Sequence, residues 1–325
     1  MTIGTLTTPN PYFLAPLAGY TDAPFRRIAH EWGSGCAVTE MVSAEGLARD
    51  GKNTLHLLRR YEGEDNLIIQ IFAPDRDPVG RCLDTLLSYR PSMIDLNCGC
   101  PVNKVVRTGA GSALMKDPGR IHSIVSFLCA NAPCPVSVKF RLGWDSASEN
   151  YLEVADACID AGASMLTLHA RTRGQMYSGK ADWDKIRILK DHVRGQNAAV
   201  FASGDIFCGA DALEVMARTG CDGVMFARGA IGNPFIFRQT ELAAKGIDWS
   251  ADVQVRISTL ILHLDYMIKD SGEAKAVREM RKHAMGYLKG LEGASKAKAA
   301  INSAMTRDDY LRALEAVESA ASAVH

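Results

Sequence analysis

The stretch Val136-Ser-Val-Lys-Phe-Arg141, followed by Tyr151 to Ile159 and then by Met165-Leu-Thr-Leu-His-Ala170, decides the fold. Two short, mostly apolar runs flank an amphipathic segment that closes near Gly162, a residue suited to a helix stop. Strands that are apolar on both faces and joined through a helix run parallel, with right-handed crossovers. The pattern repeats outward in both directions. Upstream lie Phe13-Leu-Ala-Pro-Leu-Ala-Gly19, Cys36-Ala-Val-Thr-Glu-Met-Val42, Leu67-Ile-Ile-Gln-Ile-Phe-Ala73 and Met93-Ile-Asp-Leu-Asn97. Downstream lie Ala199-Val-Phe-Ala-Ser203 and Gly223-Val-Met-Phe-Ala227. Helical patterns intervene, among them Asp22 to His30, Asp117 to Cys129, and Ala210 to Ala217 before Gly220. Eight such units in about 230 residues predict an α/β fold, a closed (β/α)8 TIM barrel rather than an open doubly wound sheet. No Gly-x-Gly-x-x-Gly follows the first strand, which weighs further against a dinucleotide-binding sheet.

Past about residue 245 the strand runs stop. Val253 to Ile268, Ala274 to Leu288 and Asp308 to Ala320 read as helices rich in Ala, Leu, Lys and Glu. The expected organisation is a catalytic barrel over 1–243 followed by a small all-α helical domain over 244–325.

The chain has 325 residues with 37 Lys plus Arg against 37 Asp plus Glu, a net charge of zero. A surface coated with phosphate-neutralising cations is excluded, whereas a local basic patch is not. Apolar residues at 47% and charged residues at 23% fit an ordered globular chain. No apolar run reaches the roughly 20 residues a membrane-spanning helix needs. The Met1-Thr-Ile-Gly-Thr-Leu start lacks the pattern of a secretory signal. A cytoplasmic protein, free of the membrane, is expected. The nine cysteines are scattered through apolar segments, so most should be small core residues, with neither a disulfide framework nor a metal site.

In this fold the chemistry lies at the carboxyl ends of the strands. The polar residues there are few: Gln70, Asn97, Cys100, Lys139, Arg141, His169, Arg171, Ser203-Gly204-Asp205 and Arg228-Gly229. A lysine inside an apolar strand must meet an anion or an electron-rich ligand, or lose its charge. The bland alternative is a pair with Asp95 or Glu40. Ser203-Gly204-Asp205 and Ala227-Arg228-Gly229, at the seventh and eighth strand ends, suit a phosphate held by backbone N–H groups and one guanidinium. Cys100, between Gly99 and Pro101, is placed to present a thiol that acts as nucleophile, metal ligand or acid. From the residues alone the reaction stays open.

Five motifs in order carry a resemblance: Ala15-Pro-Leu-Ala-Gly-Tyr-Thr-Asp22, Asp95-Leu-Asn-Cys-Gly-Cys-Pro101, Val136-Ser-Val-Lys-Phe-Arg141, Leu168-His-Ala-Arg-Thr-Arg173 and Ala202-Ser-Gly-Asp-Ile206. With Arg281-Lys-His283 and Tyr287-Leu-Lys289 beyond the barrel, the series resembles the tRNA-dihydrouridine synthases. The resemblance implies an FMN-dependent oxidoreductase that reduces the C5–C6 bond of specific uridines in tRNA, with NADPH as reductant. It implies backbone contacts to the flavin from Pro16, Leu17 and Ala18, and hydrogen bonds to its ring edge from Gln70 and Lys139, with His169 beside flavin and base. Ser203, Gly204, Asp205, Ala227 and Arg228 would hold its ribityl and phosphate groups. Hydride would reach uracil C6 from the flavin, and Cys100 would protonate C5. Asn97 would contact the uracil, and Arg141, Arg171, Arg281 and Lys282 are the further candidate contacts to the RNA. Ser203 and Ala227 depart from the Asn and Gly usual in the family.

Between Glu273 and Lys298 seven basic residues face three acidic ones, an excess of four positive charges in a neutral protein. His283 and Tyr287 share a helical face near Arg281 and Lys282, which suits a grip on RNA around a base drawn out of its stack. Alternatives are a flavin barrel acting on a free pyrimidine (dihydroorotate-type), a Schiff-base aldolase using Lys139, and an idle RNA-binding barrel. A monomer with no obligate protein partner is the default expectation.

Overall fold

The structure is a computed structural model that describes residues 1–322. Eight parallel strands form the barrel: β1 (Tyr12–Leu14), β2 (Cys36–Val38), β3 (Leu67–Phe72), β4 (Met93–Cys98), β5 (Val136–Arg141), β6 (Met165–His169), β7 (Ala199–Ser203) and β8 (Gly223–Phe226). Each pairs with the next, and β8 pairs with β1, which closes the sheet. The expected (β/α)8 barrel is therefore the observed fold.

Two predicted strands are shorter than their apolar runs. β1 ends at Leu14 because Pro16 has no N–H to give a ladder, so Ala15 to Gly19 forms a loop at the mouth. The run from Cys36 breaks after Val38 and resumes as Val42–Ser43. At the break Thr39 Oγ1 accepts the Gln70 N–H at 3.1 Å, replacing a ladder bond.

Helices α1 (Ala23–Glu31), α2 (Arg76–Ser88), α3 (Pro118–Asn131), α4 (Tyr151–Asp160), α5 (Trp183–His192), α6 (Gly209–Thr219) and α7 (Ile236–Ala243) surround the sheet. Their starts follow the local chemistry. The Asp22 carboxylate accepts the Phe25 N–H at 2.9 Å, and Asp117 accepts that of Arg120 at 3.1 Å. Gly220, at φ 68°, ends α6 in the left-handed conformation.

The main core lies between sheet and helices. A second cluster fills the barrel interior at the amino ends of the strands, where Phe13, Ile68, Met93, Met165, Phe201 and Met225 meet Ile3 and Leu6. The last two come from an antiparallel hairpin, Thr2–Ile3 with Leu6–Thr7, that plugs this end. The hairpin has no counterpart in the sequence expectation, being too short to show a period. With one end sealed, a ligand enters at the carboxyl ends.

Four helices make the tail: α8 (Val253–Ser271), α9 (Glu273–Tyr287), α10 (Ala294–Ser303) and α11 (Arg307–Ser322). They have their own core, to which Phe235 and, from the end of α1, Trp32 contribute. Among the described residues no helix is long and apolar enough to cross a membrane.

Candidate active site

The register of the strands brings the polar residues together. Gln70 lies beside Asp95, Asn97 beside Lys139, Arg141 beside His169, and Ser203 on the far side of His169. Above them the barrel opens into a cavity of about 490 Å³. Pro16, Leu17 and Ala18 form one part of its wall, and Gln70, Asn97, Cys100, Lys139, Arg141 and His169 another. Ser203, Gly204, Asp205, Ala227 and Arg228 close the far side.

A directed chain of hydrogen bonds orders the near wall. The buried Asp95 accepts from Ser137 Oγ at 2.6 Å and from Gln70 Nε2 at 2.7 Å. Since Gln70 spends its amide nitrogen there, its Oε1 accepts from Asn97 Nδ2 at 2.8 Å. Asn97 Oδ1 in turn accepts the Gly99 and Cys100 N–H groups at 3.1 and 2.9 Å. The orientation of each amide is fixed by the one before it, and the chain ends by setting the backbone of Cys100. Burial pushes the Cys100 thiol above its ordinary range, so it stays protonated at neutral pH.

Lys139 does not pair with Asp95 or Glu40. The Asp95 oxygens are taken by Ser137 and Gln70, and a Glu40 oxygen accepts the Gly19 N–H at 2.5 Å. Burial, with Arg141 adding to it, lowers the Lys139 amine to about 8. Among the described residues the amine makes no ion pair and no hydrogen bond, which leaves it for a ligand. Beside it, Thr167 Oγ1 is buried without a partner.

His169 is held neutral, its pKa pushed far down by burial and then by Lys139 and Arg141. Its Nε2 lies 3.4 Å from Arg171 Nη1, and since a guanidinium can only donate, that nitrogen accepts. The ring packs on Gly204, where a Cβ would sit 2.8 Å from His169 Cδ2; with φ at 108° the position requires glycine. Asp205, in the left-handed region at φ 55°, takes Arg171 Nη2 and the Ala181 N–H on one oxygen and Arg228 Nη2 on the other, at 2.5, 2.8 and 3.1 Å.

Three candidates are placed differently from the rest. Arg171 is buried, outside the cavity wall, and binds the Ser178 and Gly179 carbonyls and Asp205. It ties the loop after β6 to the loop after β7 rather than facing a ligand. Arg281 Nη2 donates to the Ala304 carbonyl at 2.8 Å and its Nε is buried, so the guanidinium is turned in part toward the tail. Lys282 pairs with Glu279 and lies 5.4 Å over the Tyr20 ring at the edge of the cavity. The face shared by His283 and Tyr287 is not exposed: both are buried, and that face is the seam between tail and barrel.

Sequence reasoning missed Tyr177 and Phe207. Both are about half exposed, and the Arg228 guanidinium lies over their rings at 4.7 and 5.3 Å. They sit in loops without period, where an aromatic next to Arg228 in space leaves no trace in the chain.

A closed barrel whose open end gathers a protonated thiol, an unpaired amine and a neutral imidazole belongs to the class of barrel enzymes that work at the carboxyl ends of their strands. The family model described as "Dihydrouridine synthase (Dus)" matches residues 13–324, and this chain belongs to that family. It is 41% identical over 301 residues to the "Probable tRNA-dihydrouridine synthase" of Treponema pallidum (strain Nichols), covering 90% of this chain and 88% of that one. With "tRNA-dihydrouridine synthase B" of Pasteurella multocida (strain Pm70) the identity is 33% over 318 residues, covering 97% and 95%. The "Probable tRNA-dihydrouridine synthase" of Mycobacterium tuberculosis (strain CDC 1551 / Oshkosh) is 34% identical over 326 residues, covering 94% and 82%.

Proposed function

We propose that this protein reduces the C5–C6 double bond of specific uridines in tRNA to dihydrouridine. The observation that carries the reading is the pairing, in one cavity, of a thiol kept protonated by burial with a buried amine that has no partner among the described residues. The names of the relatives support the substrate, and membership of the family supports the reaction.

The cavity suits a flavin mononucleotide. Lys139 needs an electron-rich neighbour, and it would face the ring edge together with Gln70. Pro16, Leu17 and Ala18 would lie against the ring, with His169 beside flavin and base. Ser203, Gly204 and Ala227 offer small side chains near the ribityl and phosphate groups, and Arg228, steered by Asp205, offers a guanidinium. When bound, such a flavin supplies the hydride that uracil accepts at C6, and NADPH restores it.

The chain's own residues do the rest. Addition at C6 leaves negative charge on the uracil C4 oxygen and C5, which a donor must stabilise and a proton must quench. Cys100 holds that proton for C5, and Asn97 fixes the Cys100 backbone while its second amide N–H, given only to Met41 Sδ at 3.8 Å, is the one that would turn to the base. Tyr177 and Phe207 give the extruded nucleotide aromatic surfaces at the rim. Residues 244–325 form the RNA-binding part, with Lys282 beside the mouth and Arg281 bracing the tail. The protein works as a cytoplasmic monomer.

A lowered lysine pKa would also suit a Schiff base, but that reaction leaves the protonated Cys100 without a task. The test is expression in cells stripped of dihydrouridine synthases, with dihydrouridine mapped position by position in their tRNA. Its return at one or a few positions is the expected result. Its absence, with soluble yellow protein in hand, would shift the assignment to a free pyrimidine, and turnover of free uracil or dihydroorotate would then follow. Colourless protein would overturn the flavin as well.

A further inference from the structure

A second cavity, of about 370 Å³, opens where the barrel mouth meets the tail, and it shares Phe207, Arg228 and Ile231 with the first. Its wall carries three cations, Arg228, Arg256 and Lys289, together with the neutral Asn233, Gln239 and Ser250. Among the described residues no Asp or Glu lines it. Arg228 has an ion pair with Asp205 at 3.1 Å, a carboxylate it shares with Arg171. The other two have none: among the described residues neither Arg256 nor Lys289 makes an ion pair.

Arg256 breaks two local rules. It is half-buried, yet Nη2 has a backbone carbonyl, that of Lys289 at 2.8 Å, where a carboxylate would be expected. Burial alone pushes its pKa down, with no carboxylate to offset the cost. It also stands in the first turn of α8, where the helix dipole disfavours a cation. Asp252, which caps that helix, spends an oxygen on the Val255 N–H at 2.8 Å and does not line the cavity. Neither helix stability nor an ion pair accounts for this guanidinium. A ligand anion would.

We propose that this junction cavity binds a phosphate group of a nucleotide whose reacting end occupies the neighbouring cavity. Two positive charges without counterions, one half-buried, match a doubly charged phosphate or a pyrophosphate. The shared Phe207, Arg228 and Ile231 make this cavity the neighbour of the one that Cys100 and Lys139 line. Two sources carry this chemistry: a backbone phosphate of the RNA beside the target uridine, and the pyrophosphate of the nicotinamide reductant. The choice between them rests on the uridine-reductase reading. The anion site itself does not.

The test titrates inorganic pyrophosphate calorimetrically into the flavin-loaded protein, comparing the wild type with Arg256→Gln/Lys289→Gln. Saturable binding by the wild type, weakened about 10-fold or more in the variant at equal flavin content and Tm, is the expected result. Absent binding, or equal binding in both, overturns the site. If the double variant melts early, Lys289→Gln serves alone, since it keeps the carbonyl that Arg256 uses; Arg256→Lys should restore part of the affinity. The source then follows from two assays. A rise of about 5- to 30-fold in tRNA Kd, with a shallower salt dependence, assigns the site to RNA. A similar rise in the KM for NADPH, with tRNA Kd unchanged, assigns it to the reductant. A wild type that forms no dihydrouridine would remove the proposed function, while the titration would still decide whether the anion site exists.

Discussion

Burial lowers the Lys139 amine to about 8, and the unfolded lysine titrates near 10.5, so at neutral pH it is protonated in both states and the folded state bears the difference. Lys139→Met should therefore stabilise the flavin-free protein at pH 7 by about 1–3 kcal/mol while lowering turnover by about 10²-fold. Urea midpoints and single-turnover rates would check both halves; an unmoved or lower midpoint would mean the amine has a partner in the fold. Cys100 makes the complementary case. Its raised thiol remains an acid across the neutral range, so the protonation step should stay flat with pH and decline only on the alkaline side, above the ordinary thiol value. Cys100→Ala should cut dihydrouridine formation about 10²- to 10⁴-fold with flavin absorbance retained, and loss of the flavin instead would make Cys100 a structural residue. Lys139 and Gln70 were legible in the sequence because a polar side chain within an apolar strand is an anomaly, and Cys100 because it stands between Gly99 and Pro101 just past one. Arg171 was misplaced because a loop has no period to say whether an arginine faces in or out.

Element boundaries follow the same division. Strands and barrel helices announce themselves through burial on fixed faces, and caps such as Asp22, Asp117 and Gly220 locate their ends. What sequence spacing could not supply was which face of α9 meets the barrel. Gly286 shows how close that contact is. A Cβ there would lie 2.4 Å from the Ile231 carbonyl oxygen and 2.9 Å from Gly232 Cα, both backbone atoms that cannot swing aside. Helix propensity alone favours Gly286→Ala by up to about 1 kcal/mol. Overpacking against backbone costs about 1–3 kcal/mol and should win, so the substitution lowers the unfolding midpoint. A raised midpoint would show that α9 can lift off the loop after β8 without penalty. The inward turn of α9 also draws in Arg281, whose Nη2 donates to the Ala304 carbonyl.

On the scale of the whole molecule, the barrel and its tail are joined through aromatic rings rather than ion pairs alone. Phe25 of α1 stacks on His263 of α8 at 5.4 Å and tilts against His283 of α9 at 4.7 Å, and the two imidazoles meet edge-on at 4.7 Å. His263 Nδ1 shares a 3.3 Å hydrogen bond with the Tyr287 hydroxyl, while among the described residues its Nε2 and both His283 nitrogens have no partner. Burial lowers His263 to about 3, and burial, with His263 and Lys282 adding to it, holds His283 well below its ordinary value. Both rings are thus neutral in the fold and take up protons near pH 6.5 once unfolded. The unfolded state binds more protons below that pH, so stability is full above it and falls as the solution becomes more acid. Each histidine adds a slope of up to about 1.4 kcal/mol per pH unit, continuing for His263 until its folded value is reached. The joint between barrel and tail should accordingly loosen first on acidification, visible as amide exchange along α8 and α9 between pH 6.5 and 5. His283→Leu removes two orphaned nitrogens and no hydrogen bond, so it should leave stability at pH 7 equal or higher and take one histidine's share from the acid slope. Urea melts of both proteins across that range would decide it, and parallel pH profiles would mean that the two rings are not what makes the seam sensitive to acid.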